Sequence, residues 1–261
     1  MKTPFDISFL FWRVWQRNLT VYRESWQVNF VPPLLEPLLY LLAFGVGFST
    51  MVGQVHYHGS NVSYVRFIAP ALLAINIMNN AFFENTYASF VRMYYQRTFD
   101  AMMATPLTLE EIIAGEIIWG ATKAVIATTI MLAVVSLFGL IAYPSGLLMI
   151  PLAFIGGLAI GSIGMYFTGL VKTIELFNLP VFLFITPMFL FSGTFFPVSN
   201  LPVWAKPFAL ALPLYHLVEL ARLLCLGRHE TMPLLSVIYL LVFSALFTFL
   251  ALVCMRRRLI K

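Results

Sequence analysis

The sequence contains little charge, since Asp, Glu, Lys and Arg make up 10% of its 261 residues. A soluble domain carries about 25% charged residues, and this chain has too few of them to cover a water-exposed surface. Hydrophobic residues account for 61% of the chain, compared with about 45–50% in soluble proteins. The composition therefore predicts an integral membrane protein, whose apolar surface faces lipid.

The sequence also lacks the motifs of several functional classes. It has no G-x-x-x-x-G-K-[ST] segment, so it contains no phosphate-binding loop of its own. Its two halves do not share the interrupted apolar segments that mark many secondary transporters. No aromatic and basic motif for nucleic acid occurs, and the net charge of +5 is small. Either a second chain supplies energy, or no energy is used.

Cysteine and histidine are scarce as well. The two cysteines, Cys225 and Cys254, fall on opposite sides of the membrane in the topology derived below, which argues against a disulfide between them. No Cys/His cluster has metal-ligand spacing. His216 and Glu219 are a pair capable of acid/base chemistry, but no serine or cysteine nucleophile accompanies them in a recognisable pattern. We predict no catalytic residue and no metal site.

Apolar segments long enough to cross a bilayer are abundant. A helix needs about 20 apolar residues to span the hydrocarbon core. Six segments meet this requirement, at roughly 30–52, 64–90, 112–141, 147–170, 177–196 and 233–255. An even number of spans places both termini on the same side of the membrane.

The distribution of positive charge indicates which side this is. On the side of the termini lie Lys2, Arg13, Arg17, Arg23, Arg92, Arg97, Lys172, Arg256, Arg257, Arg258 and Lys261. On the other side lie Arg66, Lys206, Arg222 and Arg228, and Lys123 is within a span. Because cytoplasmic loops carry the excess of Lys and Arg, both termini are predicted to be cytoplasmic.

The segments outside the spans have distinct characters. The first 29 residues mix aromatic and basic side chains, which favours an amphipathic helix in the cytoplasmic interface, as an anchor or as a lever for a partner. After the fifth span, four prolines interrupt an apolar stretch. Two short helices, roughly 201–211 and 214–226, are expected there as a re-entrant pair at the outer face.

These features define an all-α integral membrane protein with a single transmembrane domain over 1–261. Its predicted parts are an interface helix (1–29), spans one and two (30–90), a cytoplasmic loop (91–111), spans three to five (112–196), outer re-entrant helices (197–232), span six (233–255) and a cytoplasmic tail (256–261).

The second span carries a polar stripe. Asn76, Asn80 and Glu84 are spaced four residues apart, so they share one helix face. Polar groups at membrane depth must face protein or water. The stripe therefore either forms hydrogen bonds between helices or lines a route for a polar or amphiphilic substrate. Lys123 in the third span is expected to reach the cytoplasm or to pair with Glu116 or Glu84.

The cytoplasmic loop contains a second, shorter helix signal. A helix over 97–104 is expected to end at Thr105-Pro106, because a residue before proline disfavours the helical conformation. Thr108 and Glu111 then form the capping box of the next helix. This rigid short helix is either a handle for a partner protein or an ordinary connection between two helices.

Two blocks of the sequence carry a family resemblance. They are "QRTFDAMMATPLTLEEIIAGEIIWGATKA" (96–124) and "PMFLFSGTFFPVSNLPVWAKPFALALPLYHLVELAR" (187–222). Together with the order of interface helix, six spans and outer helix pair, they make the chain resemble permease subunits of the type 2 ABC exporters. The resemblance extends to the branch that includes the rhizobial nodulation lipo-oligosaccharide export permeases.

The resemblance implies an assembly in the bacterial inner membrane. Two permeases pair, here as a second copy of this chain, and two cassette-type ATPase subunits dock beneath them and bind ATP and magnesium. The segment 96–107 resembles the coupling helix that enters a groove on the ATPase. The ATPase-contacting residues implied are Arg97, Thr98, Phe99, Asp100, Met103, Thr105 and Pro106.

The resemblance also implies a substrate path between the two permeases, lined by spans two and five. Its polar candidates are Asn76, Asn80 and Glu84, and the candidates for an apolar outer constriction are Phe191, Phe195 and Phe196. The expected substrate is amphiphilic or lipid-linked, such as an oligosaccharide, a lipid or a drug, and it moves outward. The alternative is a channel or secondary transporter that needs no ATPase.

Overall fold

A computed structural model describes residues 8–48, 53–57, 59–227 and 234–260. Most of them are helical, as the sequence predicts. The α-helices are α1 (Phe11–Glu24), α2 (Trp26–Leu42), α3 (Tyr64–Phe83), α4 (Thr98–Met103), α5 (Leu109–Leu137), α6 (Met149–Leu170), α7 (Asn178–Pro180), α8 (Thr186–Phe191), α9 (Ala205–Leu210), α10 (Pro213–Cys225) and α11 (Leu234–Leu259).

Shorter π-helical and 3-10 turns extend several of these helices. The π-helical turns are Ala43–Phe48, Glu84–Ala88, Val91–Tyr95 and Val181–Ile185, and the 3-10 turns are Ser145–Leu148, Ile174–Phe177 and Val198–Asn200. The π turns Glu84–Ala88 and Val91–Tyr95 carry the helix that begins at Tyr64 beyond its predicted end at 90.

Five helical stretches of the described chain are long and apolar enough to cross a membrane: Tyr64–Tyr95, Leu109–Leu137, Ser145–Leu170, Ile174–Phe191 and Leu234–Leu259. They correspond to the second to sixth predicted spans. The first predicted span, 30–52, is not among them. It is occupied by α2 and the turn Ala43–Phe48, three prolines lie within α2, and residues 49–52 lie outside the described chain.

Several boundaries differ from the predicted ones for local reasons. Helix α5 ends at Leu137 rather than 141, since Gly139 adopts a left-handed conformation with φ of 66°. The fifth span ends at Phe191 rather than 196, because Gly193 turns the chain with φ of 73°. The interface helix ends at Glu24 rather than 29, where Ser25 leaves the helical conformation.

A small β-hairpin corrects the all-α prediction. Strands β1 (Gln54–Tyr57) and β2 (Ser60–Ser63) pair antiparallel in the connection between α2 and α3. The turn includes Gly59, whose φ of 73° suits glycine. The sequence indicates a polar loop here, and the alternation of polar residues with Val55 and Tyr57 was the available signal for a strand.

Helix α6 lies at the centre of the bundle, against α3, α5 and α11. Its glycines, of which Gly157 and Gly161 form a G-x-x-x-G pattern, allow this close packing. A Cβ atom at Gly157 would lie 2.7 Å from the Cα atom of Ala121 in α5. At Gly161 and Gly164 it would meet the side chain of Asn85. The G-x-x-x-G pattern therefore serves contacts within one subunit.

The bundle has two distinct ends. At one, which we call the α4 end, the backbone N–H of Ser8 donates to Glu111 (3.1 Å) and Arg258 Nη1 donates to the carbonyl of Thr168 (2.6 Å). At the other, the hairpin end, Tyr57 Oη donates to Glu219 in α10 (2.8 Å). The N-terminal helix, α4 and the C-terminal arginines thus share one end. Lys2, Arg228 and Lys261 lie outside the described residues.

We predict that Gly157→Ala destabilises the protein. The added methyl group meets the backbone of α5, and overpacking of this kind lowers the free energy of unfolding by about 1–3 kcal/mol. A lower midpoint of thermal unfolding in detergent would show it. Gly47→Ala is the matched control, since a Cβ atom there has nothing within 4 Å. Equal midpoints for the two variants would contradict the packing argument.

Candidate functional site

A buried cluster of ionised side chains lies at the α4 end, centred on Arg92. Arg92 Nη1 is 2.8 Å from Glu84 Oε1, and its Nη2 is 2.6 Å from Glu116 Oε2. The guanidinium also donates through Nε to Glu116 (3.0 Å) and through Nη2 to Ser89 (3.1 Å). One arginine therefore bridges carboxylates from two different helices.

The remaining oxygens of the two carboxylates are also occupied. Lys123 Nζ is 2.8 Å from Glu84 Oε2, and Trp119 Nε1 donates to Glu84 Oε1 (3.0 Å). Asn18 Nδ2 donates to Glu116 Oε1 over 2.8 Å. The pairing of Lys123 with Glu84 is one of the arrangements that the sequence predicts.

The cluster holds three parts of the chain together. Glu116 is fully buried and Glu84 is 5% exposed. Because a buried carboxylate without a cation is strongly destabilising, both depend on their ion pairs. Asn18 comes from α1, Glu84 and Arg92 from the helix that begins at α3, and Glu116 from α5. The interface helix is thus fixed to two membrane spans by charged hydrogen bonds.

A cavity of about 610 Å³ opens beside this cluster. Two of the three residues of the predicted polar stripe, Asn80 and Glu84, are in its wall. The third, Asn76, is buried and accepts a hydrogen bond from Asn80 Nδ2 at its backbone carbonyl (3.0 Å). Glu84 therefore bonds to α5, and Asn80 and Glu84 face an open space. The route for a substrate stays a prediction.

Helix α4 projects at the same end, as a short and well-defined element. Arg97, which caps its N-terminus, is the described non-glycine residue with positive φ (54°). Thr105 Oγ1 donates to the carbonyl of Met102 (2.6 Å) after the helix ends. The predicted capping box of α5 is confirmed: Glu111 N donates to Thr108 Oγ1 (3.3 Å), and Thr108 N donates to Glu111 Oε2 (2.8 Å).

The seven predicted contact residues of this segment differ in exposure. Arg97 and Asp100, 3.6 Å apart, have 79% and 50% of their side chains exposed. Thr105 and Pro106 are exposed, whereas Thr98 and Met103 are half-buried. Phe99 is fully buried within this chain. It anchors α4 from below and is not part of the surface that a partner meets.

The three aromatic candidates for the outer constriction lie at the hairpin end. The ring of Phe191 is 5.6 Å from that of Phe208, and the ring of Phe195 is 6.1 Å from that of Phe44. Phe196 is 40% exposed. Phe191, at the end of the fifth span, and Phe195, just beyond it, therefore form aromatic contacts with neighbouring segments.

The hairpin end also contains a buried arginine, Arg222. Its Nη2 donates to the carbonyls of Gly193 (2.6 Å) and Thr194 (2.9 Å), and its guanidinium lies 3.7 Å from the centre of the Phe67 ring. Burial, followed by the nearby carboxylate of Glu219, raises the pKa of Tyr57 well above its ordinary value. Tyr57 therefore stays protonated and donates to that carboxylate.

His216 and Glu219 of α10 make two separate sets of contacts. Glu219 joins Arg222 (3.4 Å) and Tyr57. His216 instead contacts Ser236 through Nδ1 (3.0 Å) and the carbonyl of Leu210 through Nε2 (2.9 Å). Each of these side chains therefore has a structural partner.

Sequence reasoning did not find four members of the Arg92 cluster: Arg92 as its centre, Asn18, Ser89 and Trp119. A signal for Arg92 was present, because it continues the spacing of Asn80 and Glu84 by two further turns of helix. Asn18 follows the buried Val14 by four residues, which places both on the inward face of α1. Nothing in the sequence marks the indole of Trp119 as a donor.

The five apolar spans, the amphipathic first helix and the short exposed helix at one end define a multi-pass helical membrane protein. Residues 9–226 match the family described as ABC-2 type transporter. The chain belongs to this family, and it is a membrane transport permease. The family implies an ABC ATPase as a partner.

Similar proteins of known name support this assignment over nearly the whole chain. Nodulation protein J of Rhizobium leguminosarum bv. viciae is 36% identical over 95% of this chain and 94% of its own. Nodulation protein J of Sinorhizobium fredii is 35% identical over 95% and 93%. The inner membrane transport permease YadH of Escherichia coli is 24% identical over 88% and 87%.

We predict that Arg92→Met strongly destabilises the bundle. The variant leaves the buried carboxylate of Glu116 without its cation, and breaking a buried pair in this way costs about 3–5 kcal/mol. The midpoint of thermal unfolding should fall accordingly. Adding Glu116→Gln should recover part of the loss, because it removes the unpaired charge.

Arg97→Met is the matched control for this prediction. Its side chain is 79% exposed, so its removal should change the free energy of unfolding by less than about 0.5 kcal/mol. If Arg92→Met were as stable as Arg97→Met, the cluster would not be what holds the interface helix to the spans.

Proposed function

We propose that this chain is the permease subunit of an ATP-driven exporter. It moves an amphiphilic or lipid-linked substrate, such as an oligosaccharide, a lipid or a drug, outward across the bacterial inner membrane. A separate cassette-type ATPase binds ATP and magnesium and supplies the energy. The alternative is an ATPase-independent channel or secondary transporter.

This proposal rests on the α4 segment, a short helix with exposed charges and a buried aromatic residue. Two exposed residues of opposite charge, Arg97 and Asp100, stand on a short helix whose own aromatic residue, Phe99, is fixed in the core. Such a helix moves as a unit with the spans below it. Because the chain has no phosphate-binding loop of its own, an external motor must act on a rigid surface of this kind.

The proposed contact surface follows from the exposure of this segment. Its members are Arg97, Thr98, Asp100, Met103, Thr105 and Pro106, with Phe99 as the anchor. Tyr94 and Tyr95, which are 56% and 59% exposed just before α4, extend the surface.

The Arg92 cluster gives this surface a connection to the spans. Arg92 lies in the π-helical turn that precedes α4, and it bonds to carboxylates on two spans. Displacement of α4 by the ATPase would therefore move α1, α5 and the helix that begins at Tyr64 together. In the proposed cycle, ATP closes the ATPase dimer and this motion opens a route outward.

The two ends of the bundle support the proposed topology. Residues 26–48 run from α1, at the α4 end, toward the β-hairpin at the other end, so this stretch acts as the first of six spans. Both described chain ends, near Ser8 and Ile260, then lie on the α4 side. The excess of positive charge assigns that side to the cytoplasm.

The proposed path lies between this permease and a second copy of itself. Asn80 and Glu84 face the cavity at the cytoplasmic end, with Asn76 behind them. Phe191, Phe195 and Phe196 at the hairpin end would keep the closed path dry. Two ATPase subunits dock beneath the pair, and no nucleic acid takes part.

We predict that Arg97→Ala/Asp100→Ala uncouples the transporter. The double variant removes exposed charges and leaves the net charge unchanged, so the complex should fold normally. Substrate-stimulated ATP hydrolysis and export should fall roughly tenfold, as expected when about 1.4 kcal/mol of interaction is lost. Both activities are measured in vesicles that contain the permease and its ATPase.

Arg23→Ala/Glu24→Ala is the matched control. It also removes one exposed cation and one exposed anion, from the end of α1, and it should leave both activities unchanged. Normal hydrolysis and export by the Arg97/Asp100 variant would contradict the proposal that the ATPase acts through α4. Transport by the purified chain without any ATPase would favour the alternative, an ATPase-independent channel or secondary transporter.

A further inference from the structure

The cavity at the α4 end carries an excess of positive charge. Arg17, Arg92 and Lys123 line it, and Glu84 is the acidic residue in its described wall. Glu116, behind the wall, supplies the second carboxylate to Arg92. These two carboxylates balance Arg92 and Lys123, which leaves Arg17 as a third cation.

Arg17 is half-buried, and none of the described residues forms an ion pair with it. Its Nη1 donates to Asn18 Oδ1 over 2.9 Å. Burial, and then repulsion from Arg92, lowers the pKa of Arg17, with Glu116 acting in the opposite direction. Because arginine remains protonated, this position favours an anion from outside the chain.

Neutral hydrogen-bond donors lie in the same wall. The side chains of Asn79 and Tyr22 line the cavity. Both are half-buried, and neither makes a side-chain hydrogen bond to another described residue. An arginine with free amide and hydroxyl donors beside it matches the oxygens of a phosphate group.

Exposed apolar side chains stand at the cavity beside the exposed polar residues Ser25 and Gln96. Phe83 and Val21 line it with 40% and 51% of their surfaces exposed. Trp26, at the start of α2, is 55% exposed, and exposed tryptophan is typical of the depth of lipid head groups. The occupant of the cavity should therefore carry an apolar tail as well as a negative charge.

We propose that this cavity binds the phosphate head group of an anionic amphiphile. Arg17 supplies the counter-charge, Asn79 and Tyr22 donate to the phosphate oxygens, and the acyl chains extend along Phe83 and Val21 into the bilayer. The site rests on the proposed function in one respect, namely that the α4 end lies at a membrane surface. The phosphate comes from a bilayer lipid, a transported amphiphile or free phosphate, which share this chemistry.

The test is binding of phosphatidylglycerol to the full-length permease, purified in its own oligomeric state without the ATPase and followed by native mass spectrometry. The Arg17→Gln variant should bind this lipid roughly tenfold more weakly, as expected for loss of one charge-assisted contact. Arg17→Lys should retain most of the affinity. Phosphatidylcholine, whose head group has no net charge, should bind weakly to every variant.

Arg13→Gln is the matched control, since Arg13 is exposed on the same helix and does not line the cavity. It should bind phosphatidylglycerol like the unaltered protein. If the Arg17→Gln protein does not fold, the Asn79→Leu variant is tested instead. A smaller loss of affinity for phosphatidylglycerol is expected from it. Equal affinities of the Arg17→Gln and Arg13→Gln proteins, or equal binding of the two lipids by the unaltered protein, would overturn the proposal.

Competition separates the sources of the phosphate. Displacement of phosphatidylglycerol by millimolar inorganic phosphate would show that the head group suffices, and failure to displace it would show that the apolar tail is required. Both results support an anion site, the first for free phosphate and the second for an amphiphile. Because the ATPase is absent from this experiment, a lack of selective binding would contradict only the anion site. It would leave the proposed contact surface for the ATPase unaffected.

Discussion

Two buried carboxylates and the arginine between them impose the main constraint on this structure. Glu116 and Glu84 lie inside a bundle that is otherwise apolar, where an unpaired charge is strongly unfavourable. Arg92 pairs with both, and Lys123 supplies the second positive charge through Glu84. Arg92 is in the turn that leads into α4. Satisfying the buried charges therefore also fixes the direction in which the chain leaves the membrane. The rigidity of the α4 segment is a consequence of this pairing.

The two ends of the bundle reflect different physical requirements. At the α4 end, charged groups bind to one another across three helices and leave an open cavity beside them. At the hairpin end, aromatic rings dominate, and the single buried Arg222 is held by backbone carbonyls and by Glu219. A charged α4 end with an open cavity and a largely apolar hairpin end agree with a permease that is driven from the α4 side.

Much of the fold could be predicted because membrane insertion leaves a strong pattern in the sequence. Five apolar runs, the cap at Thr108 and the short helix before Pro106 are local features, and each is present. Glycine turns at 139 and 193 ended two spans early, since an apolar run continues past the point where the backbone turns. The hairpin was missed because four-residue strands resemble a polar loop.

The candidate site was harder to predict, because its chemistry depends on contacts distant in sequence. The spacing of Asn76, Asn80 and Glu84 identified a polar face, but not that Asn18 and Trp119 would complete it from other helices. Burial also cannot be read from residue type. Phe99 resembles an exposed contact by its position in the family motif, yet the core encloses it, whereas Tyr94 and Tyr95 remain outside.

The central claim is that an ATPase binds the α4 end of the bundle. Photo-cross-linking in intact membranes tests it directly, with a photoreactive residue at position 100, where Asp100 is 50% exposed, or at position 203, where Val203 is 84% exposed at the hairpin end. The account predicts covalent capture of a cassette-type ATPase from position 100 and none from position 203. Capture from position 203, or none from position 100, would contradict it.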